Sequence, residues 1–183
     1  GWPEEQRERF EKWVRSVFLR SCETIIVRNN NWADWGLLGC VASHYFLEER
    51  GALEAYGLRL REMIDEKIEP GGEMPAETKR GRGGIWYTYF ALAPMTAASQ
   101  ILYNAGIVDL FHYMPSEGGG LRTALDYLFT YCLDTEAWPH YDGDDLINPP
   151  EPNGFYGTLF EAMAGIYGDG AYAAWVADSR PVM

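Results

Sequence analysis

The 183 residues are 47% hydrophobic and 23% charged, with a formal net charge of −12. That length suits one substantial core, because a domain of about 150 residues buries roughly two thirds of its unfolded surface, and the composition excludes a largely disordered chain. The acidity argues against a nucleic-acid partner, which needs clustered Lys and Arg, and the apolar runs stop short of the ~18 residues of a membrane span.

The chain opens on Gly1-Trp2-Pro3-Glu4-Glu5, which has neither the basic start nor the apolar run of a signal peptide. Pro3 sits where a helix starts, and Phe10, Trp13, Val14, Val17 and Phe18 then recur at three- and four-residue spacing, the pattern of a helix with one buried face. Similar patterns cover 35–49, 53–68, 85–105, 121–133 and 155–167, which predicts about six helices. Gly51 and Gly106 follow two of them in C-capping positions, and Pro70-Gly71-Gly72 ends a third. Alternating strand patterns of useful length are absent, so the reading is all-α, a single domain over 1–183. Cys22, Cys40 and Cys132 are widely spaced and lack zinc-ligand spacing, so each reads as a small buried hydrophobe.

Two long connections, 69–84 and 135–154, exceed the usual loop length and draw attention as functional segments. The first carries Lys79-Arg80-Gly81-Arg82, the one dense basic patch and the place to expect an acidic ligand. Glycines there precede an aromatic helix start, Trp86-Tyr87-Thr88-Tyr89-Phe90. On a continuous helix, a seven-residue spacing would put Arg80 and Tyr87 on one face, and likewise Arg82 and Tyr89. The plainer reading is a solvated basic loop followed by a buried aromatic helix. The second connection, running from Trp138 to Asp145, is aromatic and acidic, fits a sugar-facing or a calcium-binding loop, and lacks EF-hand spacing; no metal ligand is assigned. Asn29-Asn30-Asn31-Trp32 precedes the second helical pattern. Its asparagines suit either a helix cap or amide donors for a carboxylate, with Trp32 or Trp35 offering a flat face to a sugar ring.

Glu77-Thr78-Lys79-Arg80, then Tyr87, then Ala91-Leu92-Ala93-Pro94-Met95 resembles the catalytic segment of poly-mannuronate (alginate) lyases. In the same order, Trp13-Val14 and the asparagine run resemble that family's helix ending in an Asn-Asn-His motif near a tryptophan. Gly120-Leu121-Arg122-Thr123-Ala124-Leu125-Asp126 and Trp138-Pro139 resemble its later helices, so the similarity covers nearly the whole chain. The resemblance implies an incomplete (α/α) toroid of inner and outer helices around a carbohydrate cleft, the family's domains being longer and beginning with helices ahead of Gly1. It also implies β-elimination of a polyuronate, without a cofactor. Asn30 is then the neutraliser of the substrate carboxylate, Arg80 its electrostatic partner and activator of the phenol, and Tyr87 the acid and base. Asn29, Asn31, Trp32, Trp35, Arg82 and Tyr89 are assigned to substrate contact. The implied partner is an anionic polysaccharide in the periplasm or outside the cell, with self-association through toroid faces left open.

Two positions depart from the family pattern: Asn31 and Thr88 stand where histidines are usual. His44 reads as structural, while His112 and His140 lie in or near loops. With Tyr87 serving both ends of the elimination, the C5 proton and the C4 oxygen must lie on one side of the ring, which favours mannuronan or glucuronan over polyguluronate. Two competing readings are a carbohydrate-binding remnant and a helical glycoside hydrolase, for which Glu73, Glu77, Asp142, Asp144 and Asp145 are the available carboxylates.

Overall fold

The structure is a computed structural model and describes residues 1–140 and 146–181. Among these the chain is all-α. Helix α1 (Glu4–Trp13) starts after Pro3, passes through a π-helical stretch (Val14–Phe18) and continues as α2 (Leu19–Ile25). Then follow α3 (Asn31–Phe46), α4 (Arg50–Lys67), the short α5 (Pro75–Thr78), α6 (Gly84–Asn104), α7 (Leu121–Leu133), α8 (Phe155–Tyr167) and α9 (Gly170–Trp175). The helical segments expected from apolar spacing are all present. Gly106 takes a left-handed φ of 64° just past α6, as a C-capping glycine does. Gly51 does not: it lies inside α4, and Glu48, with φ 58°, makes the left-handed turn after α3 instead.

The core is organised on α3 and α6, which pack along one another, with α2 and α4 against α3 and α7 against α6. Both central helices are apolar on several faces, as fits helices enclosed by neighbours. Leu37, Val41, Leu92, Met95 and Leu102 are fully buried. Buried hydroxyls on α6 are satisfied locally: Thr88, Thr96 and Ser99 each donate to the carbonyl four residues back, at 2.8–2.9 Å. Pro94 lacks the N–H that would reach the Phe90 carbonyl, and Trp35 Nε1 of α3 donates to that carbonyl at 3.1 Å. The three cysteines are buried and free.

The first helix corrects one expectation. Its apolar spacing is that of a buried face, yet only Val14 of that stripe is buried, and Phe10, Trp13, Val17 and Phe18 are exposed. The aromatic rings stack on one another along the helix surface, Phe10 with Trp13 at 5.7 Å and Trp13 with Phe18 at 5.7 Å. Among the described residues no helix is long and apolar enough to cross a membrane.

Candidate active site

The first turn of α3 and the segment from α5 to α6 meet to form the site. Asn30 is the N-cap of α3: its Oδ1 accepts from Trp32 N at 3.2 Å, and its own carbonyl accepts from Lys67 Nζ at 3.2 Å. Its amide nitrogen makes no hydrogen bond to a described residue and so retains donor capacity for a ligand. Asn31 is spent differently. Its backbone N–H donates to Glu77 Oε1 and its Nδ2 to Glu77 Oε2, both at 2.8 Å. Glu77 is 1% exposed, and Arg80 Nε lies 3.5 Å from the same Oε2. The Arg80 guanidinium in turn sits over the Tyr87 ring, 4.0 Å from its centroid.

Arg80 and Tyr87 are therefore together, but not for the reason that helical spacing suggests. No continuous helix joins them: α5 ends at Thr78, Gly81 takes a left-handed φ of 59°, a 3-10 turn spans Gly81–Gly83, and α6 starts only at Gly84. Glycine permits the left-handed step. Gly84 permits the close approach of α5 to α6, since a Cβ there would lie 2.6 Å from the Thr78 carbonyl oxygen and 3.0 Å from the Trp138 ring. The second long connection braces this turn. Trp138, 2% exposed, donates from Nε1 to Gly81 O at 3.4 Å, and Ile147 N donates to Arg82 O at 3.1 Å.

Beneath the Asn30 turn lies a buried ion pair. Lys67 Nζ is 2.6 Å from Asp34 Oδ1, with Asp34 fully buried and its Oδ2 lacking a hydrogen-bond partner among the described residues. Burial pushes the Asp34 carboxyl up to about 6, outweighing the opposing pull of Lys67.

The residues assigned to substrate contact divide by location. Asn29 is exposed in the turn before α3. Trp32 is 51% exposed with the Arg28 guanidinium 4.9 Å from its ring centroid, so one face of that ring is already occupied. Trp35 is 39% exposed and tied to α6 through Phe90. Arg82 is exposed on the 3-10 turn. Asn31 and Tyr89 are not brought to an open surface. Tyr89 packs against Trp86 and Tyr156, at 5.0 and 4.8 Å, and burial raises its phenol above the ordinary value. The pairing of Arg82 with Tyr89 fails because α6 turns Tyr89 into the core.

His44 is buried, with Nδ1 2.6 Å from Glu49 Oε2 and its ring stacked on Tyr56, as a structural residue. His112 pairs with Asp109 at 2.8 Å. His140 Nε2 lies 3.5 Å from Glu73 Oε1, which also accepts from Thr78 Oγ1 at 2.6 Å. Glu73 and Glu77 are both held by protein partners rather than set across a cleft as a hydrolytic pair. Asp142, Asp144 and Asp145 fall outside the described residues.

Sequence reasoning missed Lys67 and Asp34 and gave Glu77 a different use. One signal was available for Asp34: it lies three and seven residues before Leu37 and Val41, on the buried stripe of α3, where an acid requires a partner.

A line of contacts thus runs from the asparagine turn through Glu77 to the Arg80 cation and on to the Tyr87 phenol. A model of the alginate lyase family matches residues 1–138. A polysaccharide lyase of Stenotrophomonas maltophilia is 27% identical over 100 residues, covering 53% of this chain and 30% of that protein. The crystal structure of an alginate lyase from Bacteroides ovatus superposes with a TM-score of 0.78 at 18% identity, over 99% of this chain and 48% of that one. The chain thus spans less than half the length of either relative, and its helices have the fold of part of an (α/α) toroid. With the family match extending over most of its residues, this chain belongs to the alginate lyase family.

Proposed function

We propose that this chain carries the elimination centre of a polysaccharide lyase acting on a mannuronan- or glucuronan-type polyuronate, a periplasmic or secreted activity. The observation that carries the reading is the contact of Arg80 with Tyr87, joined through Glu77 to the asparagine turn. The chemical difficulty is the C5 proton: a carbanion next to an ionised carboxylate is poorly stabilised unless fixed donors and cations neutralise that carboxylate. The Asn30 amide and the Arg80 guanidinium supply those groups.

Tyr87 as phenolate takes the C5 proton, and the electron pair left behind forms the C4–C5 double bond. The bond from C4 to the glycosidic oxygen breaks, and that oxygen takes the proton from the Tyr87 hydroxyl, which returns to phenolate. Arg80 against the ring favours the anionic form from which Tyr87 starts and to which it returns, before the first transfer and after the second. Asn31 and Thr88 take no part in the proton transfer: the Asn31 amide is bound to Glu77, and the Thr88 hydroxyl donates to the Gly84 carbonyl at 2.9 Å. In this reading Tyr87 serves both ends of the bond from one side of the ring.

A panel of purified polyuronates, assayed by the ultraviolet absorbance of the unsaturated product, tests the substrate class. Faster release from polymannuronate or polyglucuronate than from polyguluronate is expected. A strong preference for polyguluronate contradicts a single tyrosine acting on one side.

A further inference from the structure

Glu77 is 1% exposed and carries no group that could reach a substrate without leaving its partners, yet burying a carboxylate is costly unless it is paired and hydrogen-bonded. It is paired three ways. Oε1 accepts from the Asn31 backbone N–H at the start of α3, where the helix N-terminus favours a negative charge. Oε2 accepts from Asn31 Nδ2, and the same oxygen faces Arg80 Nε at 3.5 Å. One carboxylate oxygen is thus shared by the asparagine turn and the guanidinium, two groups 49 residues apart in sequence (Asn31 to Arg80).

We propose that Glu77 is the positioning residue of this site, holding the Asn30-Asn31 turn and the Arg80 guanidinium in one frame so that amide and cation converge on the same substrate carboxylate. The inference rests on the lyase reading above and adds a residue that touches no reacting atom. Asn31 becomes its clamp point: the amide Nδ2 is directed to Glu77, which fixes the backbone on which Asn30 is displayed. Arg80, a third exposed, has a long side chain with many rotamers; the Glu77 carboxylate on one side and the Tyr87 ring on the other restrict it to the position over the phenol.

Two variants of the full chain separate positioning from mere stabilisation. Glu77→Gln keeps an acceptor for the Asn31 N–H but sets an amide donor against both Asn31 Nδ2 and Arg80 Nε. The expected result is a loss of kcat of about 10- to 100-fold, the scale typical of removing a residue that orients a reactive group, with a much smaller change in KM. In Asn31→Asp/Glu77→Gln the donor and acceptor are exchanged, so the tie between the two segments is restored while Arg80 still faces an amide. Thermal stability should return and kcat should not. Recovery of kcat together with stability, or a Glu77→Gln variant with full kcat, overturns the positioning role while leaving the lyase reading intact. Absence of unsaturated product from the unsubstituted chain on every polyuronate overturns the lyase reading itself, and the proposal with it.

Discussion

Trp35 and Pro94 share one carbonyl. Because Pro94 cannot donate, Phe90 O would be unsatisfied within α6, and the indole N–H of Trp35 fills the vacancy. Trp35→Phe retains the ring and removes the donor, and is expected to cost about 1 kcal/mol in urea unfolding. An unchanged midpoint would mean that water satisfies the carbonyl equally well. Asp34 sets a pH dependence. Its folded value, about 6, lies above the ordinary carboxylate value near ~3.9, so the folded chain holds this proton more tightly than the unfolded one. Its contribution to stability is complete below pH ~4 and is lost as pH rises toward 6. The stability difference between the natural chain and Asp34→Asn should accordingly fall across that window; a difference that grows with pH would show that Lys67 dominates instead. Asp34 was legible as an acid on a buried stripe, whereas Lys67, 33 residues further on, was not. Only folding places the last turn of α4 under the first turn of α3.

The longer helices were legible in the sequence, because apolar spacing, Pro3 and Gly106 report local conformation directly, whereas the short α5 and α9 were not among the expected segments. What spacing did not contain is the path between α5 and α6. Arg80 and Tyr87 meet across an interrupted helix, and the same reasoning misplaced Tyr89, which α6 carries into the aromatic core with Trp86 and Tyr156. The bond between Asn31 and Glu77 spans 46 residues and has no local signature at all. The close approach of α5 to α6 gives a test at this scale. Gly84→Ala drives a methyl toward the Thr78 carbonyl and the Trp138 ring, and should destabilise by about 1–3 kcal/mol while lowering turnover, since the Arg80 turn must shift. Gly51→Ala meets open space within α4 and is expected to stabilise by about 0.5–1 kcal/mol with no effect on turnover. Thermal melts and initial rates on the two variants side by side check both; equal behaviour would contradict the packing at Gly84.

At the scale of the molecule, the exposed aromatic stripe of α1 is the feature least like a finished surface. Trp2, Phe10, Trp13 and Phe18 are 37–59% exposed and contiguous through their ring contacts. Apolar patches of this kind promote association, so the chain is expected to self-associate with rising concentration in sedimentation velocity, and Trp13→Glu with Phe18→Glu should suppress it. Association unaffected by that double variant would place the contact elsewhere. Family membership follows from a match over residues 1–138, whereas the proposed elimination rests on the few side chains gathered at the start of α3 and α6. The most direct test of that centre is Tyr87→Phe, measured for both release of unsaturated product and binding of a manno-uronate oligosaccharide. If Tyr87 transfers both protons, turnover falls to background while the dissociation constant changes little; a variant that still eliminates at the rate of the natural chain would contradict the account.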